Sequence, residues 1–289
     1  MSIVNDSYPQ SHSEITDSEL KELAMHEMQA QQVRQSNFPT EVISLPSQGK
    51  VYPESNPLHS GTIEMKYMTA REEDILTSAN LIKQGIVLDK LMQSLIVSPI
   101  KFNDLVIGDK NAIMIASRIL GYGKDYEVSV TCPNCGEKNK ESIVVDLTKL
   151  PEKNIPETAV MSAPNLFEFT LPQSKRVVQF SLATHGTERK IEYELEAMKK
   201  TQKKDSVNRE LTTRLKHVIK SVDGTVDPKY ISDFVDNELF AMDSKALRSY
   251  IREIAPDQKF EIPFTCEHCS HEEEALTFNI DSNFFWPKA

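Results

Sequence analysis

A chain of 289 residues is long enough for one large domain or two ordinary ones, and it can bury a core without disulfide staples. With 39% hydrophobic and 26% charged residues its composition is soluble and globular. The formal charge of −10 argues against a broad nucleic-acid surface. No apolar run approaches the roughly 20 residues that cross a bilayer. The opening MSIVNDSYPQSHSEITDSEL has neither the basic region nor the apolar core of a secretory signal. Four cysteines in so long a chain do not suit a secreted disulfide scaffold and point to a reducing cytosol.

Residues 1–40 are polar and read as a flexible arm, with a short helix capped by Asp17 or Ser18 and running to about Arg34. Such an arm either stays mobile or orders against a neighbour. Asn37 to Gly61 is rich in Pro and Gly and reads as a tethered surface loop, assigned over 41–61. From Thr62 the alternation of Ile63, Met65 and Tyr67 predicts a strand. Thr69 with Glu72 forms a capping box for a helix from Ala70 to about Lys83, stopped by Gly85. A second helix is expected from Leu88 to Val97. A third starts at Gly108–Asp109 and is ended by Gly121 and Gly123. Tyr126 to Val130 is a strand entering Cys132-Pro133-Asn134-Cys135-Gly136, and Ser142 to Leu147 is the strand leaving it.

A proline-rich connector follows over 151–165, then a hairpin of Leu166–Leu171 and Val177–Leu182. Residues 187–220 read as helical, either one long helix or two meeting in a bend. They hold ten Lys+Arg against six Asp+Glu, opposite in sign to the rest of the chain. Three roles suit them: a solvated face, a docking arm for an acidic partner, or a nucleic-acid stripe. No interleaved aromatics support base stacking. A helix from about Asp243 to before Pro256 leads to a strand over Lys259–Thr265, the turn Cys266-Glu267-His268-Cys269, and a strand over Leu276–Ile280. Phe284-Phe285-Trp286 then either cover the core of the second lobe or anchor a partner.

The second half repeats the first. With Cys132 laid on Cys266, Arg118 falls on Arg252, Asp109 on Asp243, and Tyr126 on Phe260. Further upstream, IEMKYMTAREEDIL resembles VVQFSLATHGTERKI: strand, Thr, helix. The expected fold is α+β. Two similar helix–strand–zinc-knuckle lobes, 62–150 and 166–289, share one four-cysteine zinc site across a rough two-fold axis. The charged helical segment 187–220 is an insertion in the second lobe.

Two CxxC turns converge readily on four tetrahedral thiolates, so Cys132, Cys135, Cys266 and Cys269 are the expected ligands of a single structural Zn2+. Joining the pairs closes a loop of about 130 residues at roughly 4 kcal/mol. Structural zinc contributes on the order of 10 kcal/mol and offsets it. Gly136 suits the tight turn after the first pair. Ser270 stands there in the second, which is expected to be looser. His268 and His271 are the substitute ligands at hand. Separate redox dithiols lack the thioredoxin-like setting, and nothing supports the electron transfer that an iron–sulfur cluster implies. A four-thiolate zinc has no open position for catalysis.

The chain has no Gly-rich phosphate loop, HExxH or GxSxG. Asp109 and Asp243 sit where carboxylates cap helix N–H groups. No catalytic residue is expected.

SLPSQGKVYP, the strand followed by MTAREEDIL, the Ile/Leu-rich helix after Gly108–Asp109, and TCPNCG followed by IVVDL together resemble the baseplate proteins of T-even-like contractile-tailed bacteriophages. The resemblance starts at about residue 41 and is strongest over 44–150. It implies a non-enzymatic hub component or hub-assembly factor that works through contacts with hub and tail proteins. Assembly would take place in the host bacterial cytoplasm, and incorporation would leave the protein in the virion baseplate. No membrane or small-molecule partner is implied. A zinc-containing nucleic-acid-binding module is the alternative.

Overall fold

The computed structural model describes residues 28, 38–139, 141–201, 208–280 and 282–286. The expected N-terminal arm and its short helix, Met28 apart, therefore lie outside the described residues as far as Asn37. Strand β1 (Thr40–Ser44) pairs antiparallel with β2 (Thr62–Lys66). The segment between them is a surface loop anchored in the core at several points: Gln48, Lys50, Pro53 and Glu54 are exposed. Leu45, Val51, Tyr52 and Leu58 are all buried. Gly49 sits at φ 77°, and a Cβ there would lie 2.2 Å from the His59 carbonyl oxygen, so glycine alone admits this approach. The expected loop over 41–61 is not free of regular structure: β1 takes its first residues and a 3-10 turn, capped by Asn56, takes Pro57–Ser60. Pro and Gly content reports neither the long-range pairing of β1 nor which side chains are buried.

The helix expected over 70–83 is two: α1 (Ala70–Leu76) and α2 (Ala79–Lys83). Thr77 breaks it. Its hydroxyl donates back to the Glu73 carbonyl (3.0 Å), and Ser78 then turns extended. Glu72 accepts from the Thr69 N–H at 3.0 Å and pairs with Lys66 at 2.8 Å, so the expected capping partner is in place. Helix α3 (Val87–Leu95) buries Leu91, Met92 and Leu95. Helix α4 (Ile107–Tyr122) runs through the first half and ends at Gly123, φ 83°. Strands β3 (Asp125–Val128) and β4 (Ile143–Asp146) form the hairpin that carries the first CxxC turn.

In the connector, β5 (Glu152–Lys153) pairs with β10 (Asp257–Gln258) from the second half. Strands β6 (Met161–Ala163), β7 (Leu166–Thr170), β8 (Val177–Phe180) and β9 (Ile219–Val222) make an antiparallel sheet in that order. Residues 187–220 are not one helix. Helix α5 (His185–Thr201) and α6 (Glu210–Val218) pack on each other, and Ile219 and Lys220 already belong to β9. Arg214 reaches Glu188 (2.6 Å) and His217 reaches Glu194 (2.8 Å), while Ile191 and Leu215 are buried. The base of this unit therefore lies on the core, contrary to a freely projecting arm. Lys199 and Lys200 remain exposed, and Lys203 and Lys204 lie outside the described residues.

Helix α7 (Pro228–Asp233) leads through one π turn to α8 (Ala241–Ile254). Strands β11 (Glu261–Thr265) and β12 (Glu272–Thr277) carry the second CxxC turn. β12 starts earlier than expected, at Glu272 instead of Leu276. Glu272, Glu273 and Glu274 belong to the strand while their side chains face out, which hides it in a polar run. The C-terminal aromatics close on the first half, not on the second-half core. Phe284 packs edge-on against Tyr126 at 5.1 Å, and the Trp286 indole donates to the Leu76 carbonyl at 3.2 Å. One apolar cluster, from Leu45 to Phe285, runs through both halves.

Candidate metal centre

Each knuckle is shaped by its backbone before any ion is considered. In the first, Cys132 N–H donates to Glu137 O (2.9 Å) and Gly136 N–H donates to Cys132 O (2.9 Å). In the second, Cys266 N–H donates to His271 O (2.9 Å) and Ser270 N–H donates to Cys266 O (3.0 Å). Gly136 has φ 76° and Ser270 φ 55°. The second turn is not the looser one: Ser270 adopts the left-handed conformation and keeps the same two bonds. Holding a side chain there costs about 1 kcal/mol, so Ser270→Gly is expected to raise stability by about that amount in a urea melt, with metal content unchanged. No change in the midpoint would show that the serine carries no such strain.

The two turns meet. The Cys132 and Cys269 sulfurs are 3.7 Å apart, as are those of Cys135 and Cys266, so each close pair joins the two halves. All four sulfurs lie within 4.8 Å of one another. A disulfide needs about 2.05 Å, and all four thiols are free. A tetrahedron with metal–sulfur bonds of about 2.3 Å has edges of about 3.8 Å. The cluster therefore fits a tetrahedral metal ion and leaves no position for water or substrate.

Cys132 and Cys266 are buried, whereas Cys135 and Cys269 face outward. The Asn134 side-chain amide lies 3.6 Å from the Cys269 sulfur and, with a backbone N–H, holds that thiol down to about 6. Cys135 is pushed up to about 12: a backbone N–H lowers it, but burial and the surrounding thiols outweigh that. The His268 N–H points at the Cys266 sulfur (3.4 Å). Asn139 bridges the knuckles, donating to Thr265 O (3.2 Å) and accepting from the Glu267 N–H (3.2 Å). The histidines are engaged elsewhere. His268 Nε2 contacts Lys138 O at 3.1 Å, and His271 Nε2 lies 3.4 Å from Glu273.

Asp109 and Asp243 are not caps. Each is the third residue of its helix, fully buried, and each holds a loop from its own half. Asp109 accepts from Ser47 N–H (2.9 Å), Ser47 Oγ (2.6 Å) and Tyr52 OH (2.6 Å). Tyr52 OH accepts in turn from Val106 N–H (3.1 Å). Asp243 accepts from Gln173 N–H (2.7 Å) and Ser174 N–H (3.0 Å). Sequence reasoning missed Ser47, Tyr52, Gln173 and Ser174. The available signal was a repeated Leu-Pro pair, Leu45-Pro46 and Leu171-Pro172, each followed by polar residues. Arg118 and Arg252 share a register but not a role. The Arg118 guanidinium is buried and donates to Gly123 O and Asp125 O, whereas Arg252 is exposed.

A model of the T4 bacteriophage base plate protein family matches residues 39–286. The chain belongs to this family. Comparison with curated proteins and with solved structures found no match. The baseplate protein has a non-enzymatic role in baseplate and tail assembly, exercised through contacts with other proteins. Among the described residues, no helix is long and apolar enough to cross a membrane. The family match starts just before β1 and ends at Trp286, so it takes in both knuckles, the α5–α6 unit and the closing aromatics.

Proposed function

We propose that the protein is a zinc-stapled structural component of the baseplate hub, or of hub assembly. In this reading its two halves are copies of one unit whose relative placement is held by the metal. The observation that carries it is the cross-half sulfur pairing at 3.7 Å, because a metal there ties the end of one half to the end of the other. Cys132, Cys135, Cys266 and Cys269 would hold one Zn2+, whose contribution is structural.

The lobes would span 62–150, extended upstream by β1 and its loop, and 166–289, joined by 151–165. Several matched features support copying. Both CxxC turns sit in hairpins that follow a long helix. Both helices carry a buried aspartate at their third residue, bonded to a Leu-Pro loop. The residues before them, Val106 and Phe240, have φ/ψ of −65°/150° and −62°/146°. The partners would be hub and tail proteins, met in the host bacterial cytoplasm and, if the protein is incorporated, retained in the virion.

Mass spectrometry of purified virions and of the cytoplasmic complex tests this reading. A stoichiometric complex with tail proteins that survives nuclease is expected. Retention on DNA that weakens steeply with salt would favour a nucleic-acid module instead. Reversing Lys199 and Lys200 to Glu is expected to leave folding intact and to weaken tail-protein binding, most strongly at low salt. Unchanged affinity there would return the α5 tip to a solvated face.

A further inference from the structure

Beside the shared apolar core and the β5–β10 pair, the two halves are joined by a short backbone contact at the start of α4. Ile107 N–H donates to Ala183 O (3.2 Å), and His185 N–H donates to Leu105 O (2.7 Å), bridging Val106 with Thr184. The start of α4 thus receives the strand–Thr–helix junction of the second half. Both surfaces have counterparts. In the register that lays Cys132 on Cys266, Leu239, Phe240 and Ala241 at the start of α8 stand for Leu105, Val106 and Ile107. With Thr69 laid on Thr184, Met68 and Ala70 stand for Ala183 and His185. The junctions agree in detail: Glu73 N–H bonds to Thr69 O and Glu188 N–H to Thr184 O.

These counterparts do not meet within the chain. Val106 is 2% exposed, but Phe240 is 51% exposed and Met242 59%. Ala70 and Ala241 are exposed. Among the described residues, Ala241 N–H, Leu239 C=O, Ala70 N–H and Met68 C=O have no hydrogen-bond partner. These are the same two donors and two acceptors that close the contact inside the chain.

We propose that a second copy of this chain closes the open contact. Its Met68–Ala70 junction docks on the start of α8, with Ala241 N–H donating to Met68 O and Ala70 N–H donating to Leu239 O. Phe240 and Met242 supply the apolar cover. Inside the chain the second half sits on the first; between chains the first half of one copy sits on the second half of the next. The interface is heterologous, so copies add head to tail into a ring or a filament. Met242 stands where Gly108 admits Pro256, so the intermolecular contact is confined to the junction edge and these two side chains. The proposal rests on the two halves being copies.

Sedimentation velocity on the zinc-loaded full chain tests it, with mass expected to rise with concentration. Ala241→Pro and Ala70→Pro each remove one donor at the first position of a helix, where proline is tolerated. Each is expected to weaken association about tenfold with the melting temperature retained. A chain carrying Phe240→Glu and Met242→Glu should be monomeric, as should one carrying Ala70→Pro together with a charge at Tyr67 (Tyr67→Glu), the exposed residue that precedes Met68 on the docking junction. Mixed, the two should form a one-to-one dimer and nothing larger, since each keeps one intact surface. A monomeric wild type, association untouched by these changes, or a mixture that stays monomeric overturns the proposal. A crystal structure of either double variant separates the two readings. If residues 104–147 superimpose on 238–281 while the chain stays monomeric, only the docking fails. If they do not superimpose, the copying itself fails.

Discussion

Stripping zinc from the folded protein with a strong chelator is expected to lower its melting temperature by about 8–16 °C. Native mass spectrometry should count one zinc per chain beforehand. The size follows from what a metal in the proposed site would do. Each half contributes one buried and one outward cysteine, and the close sulfur pairs run between halves. Without the ion, the direct ties between the knuckles among the described residues are polar contacts: the Asn139 bridge, His268 with Lys138, and Asn134 with the Cys269 sulfur. A metal that closes a loop of about 130 residues offsets roughly 4 kcal/mol of chain entropy. In a chain of this size about 1 kcal/mol corresponds to about 2–4 °C. Cys132→Ser or Cys266→Ser should cost more than Cys135→Ser or Cys269→Ser, because a buried hydroxyl replaces a metal-bound sulfur. Two ions per chain, or a melting temperature indifferent to chelation, would sink the four-thiolate staple.

Asp109→Ala is expected to destabilise the protein by about 3–5 kcal/mol, read from urea denaturation. The substitution strands the Ser47 N–H, the Ser47 hydroxyl and the Tyr52 hydroxyl in the core, and with them the anchor of the 45–61 segment. Tyr52→Phe should cost less, about 1–3 kcal/mol, since it removes one donor to Asp109 and leaves the Val106 N–H unpaired. Asp243→Ala strands two backbone N–H groups and should cost about 2 kcal/mol. A loss under about 1 kcal/mol for Asp109→Ala would show that the loop is not held by this carboxylate.

Acid titration distinguishes the two aspartates. Burial opposes ionisation at both, but at Asp243 the N–H groups of Gln173 and Ser174 outweigh it and hold the carboxyl below its usual range. Its stabilising contribution is therefore present at neutral pH and is lost as pH falls through the depressed folded pKa. Burial dominates at Asp109 and raises its pKa, so its contribution has the opposite sign: present in acid and lost as pH rises through the folded value. Asp243→Asn should flatten the acid limb of the stability profile, and Asp109→Asn should not. An unchanged acid limb in Asp243→Asn would contradict this assignment.

What was legible in the sequence was what short-range chemistry dictates. The CxxC spacing, the strands flanking each knuckle, the Thr69–Glu72 cap and the stop at Gly123 all depend on residues within a few positions of one another. The register that lays Cys132 on Cys266 likewise placed α4 and α8 before their hairpins. Tertiary structure decided the rest, because the partners there lie far apart along the chain. The 45–61 segment is anchored in the core because Ser47 and Tyr52 reach the distant Asp109 carboxylate on α4. Phe284 and Trp286 cross back from the C-terminal end to Tyr126 and Leu76, a choice that local hydrophobicity cannot make. Nor does a charge count over 187–220 reveal that Arg214 folds back on Glu188 and draws Leu215 into the core. A backbone or side-chain group finds its long-range partner only when whole elements have packed, and packing depends on the shape of both surfaces at once.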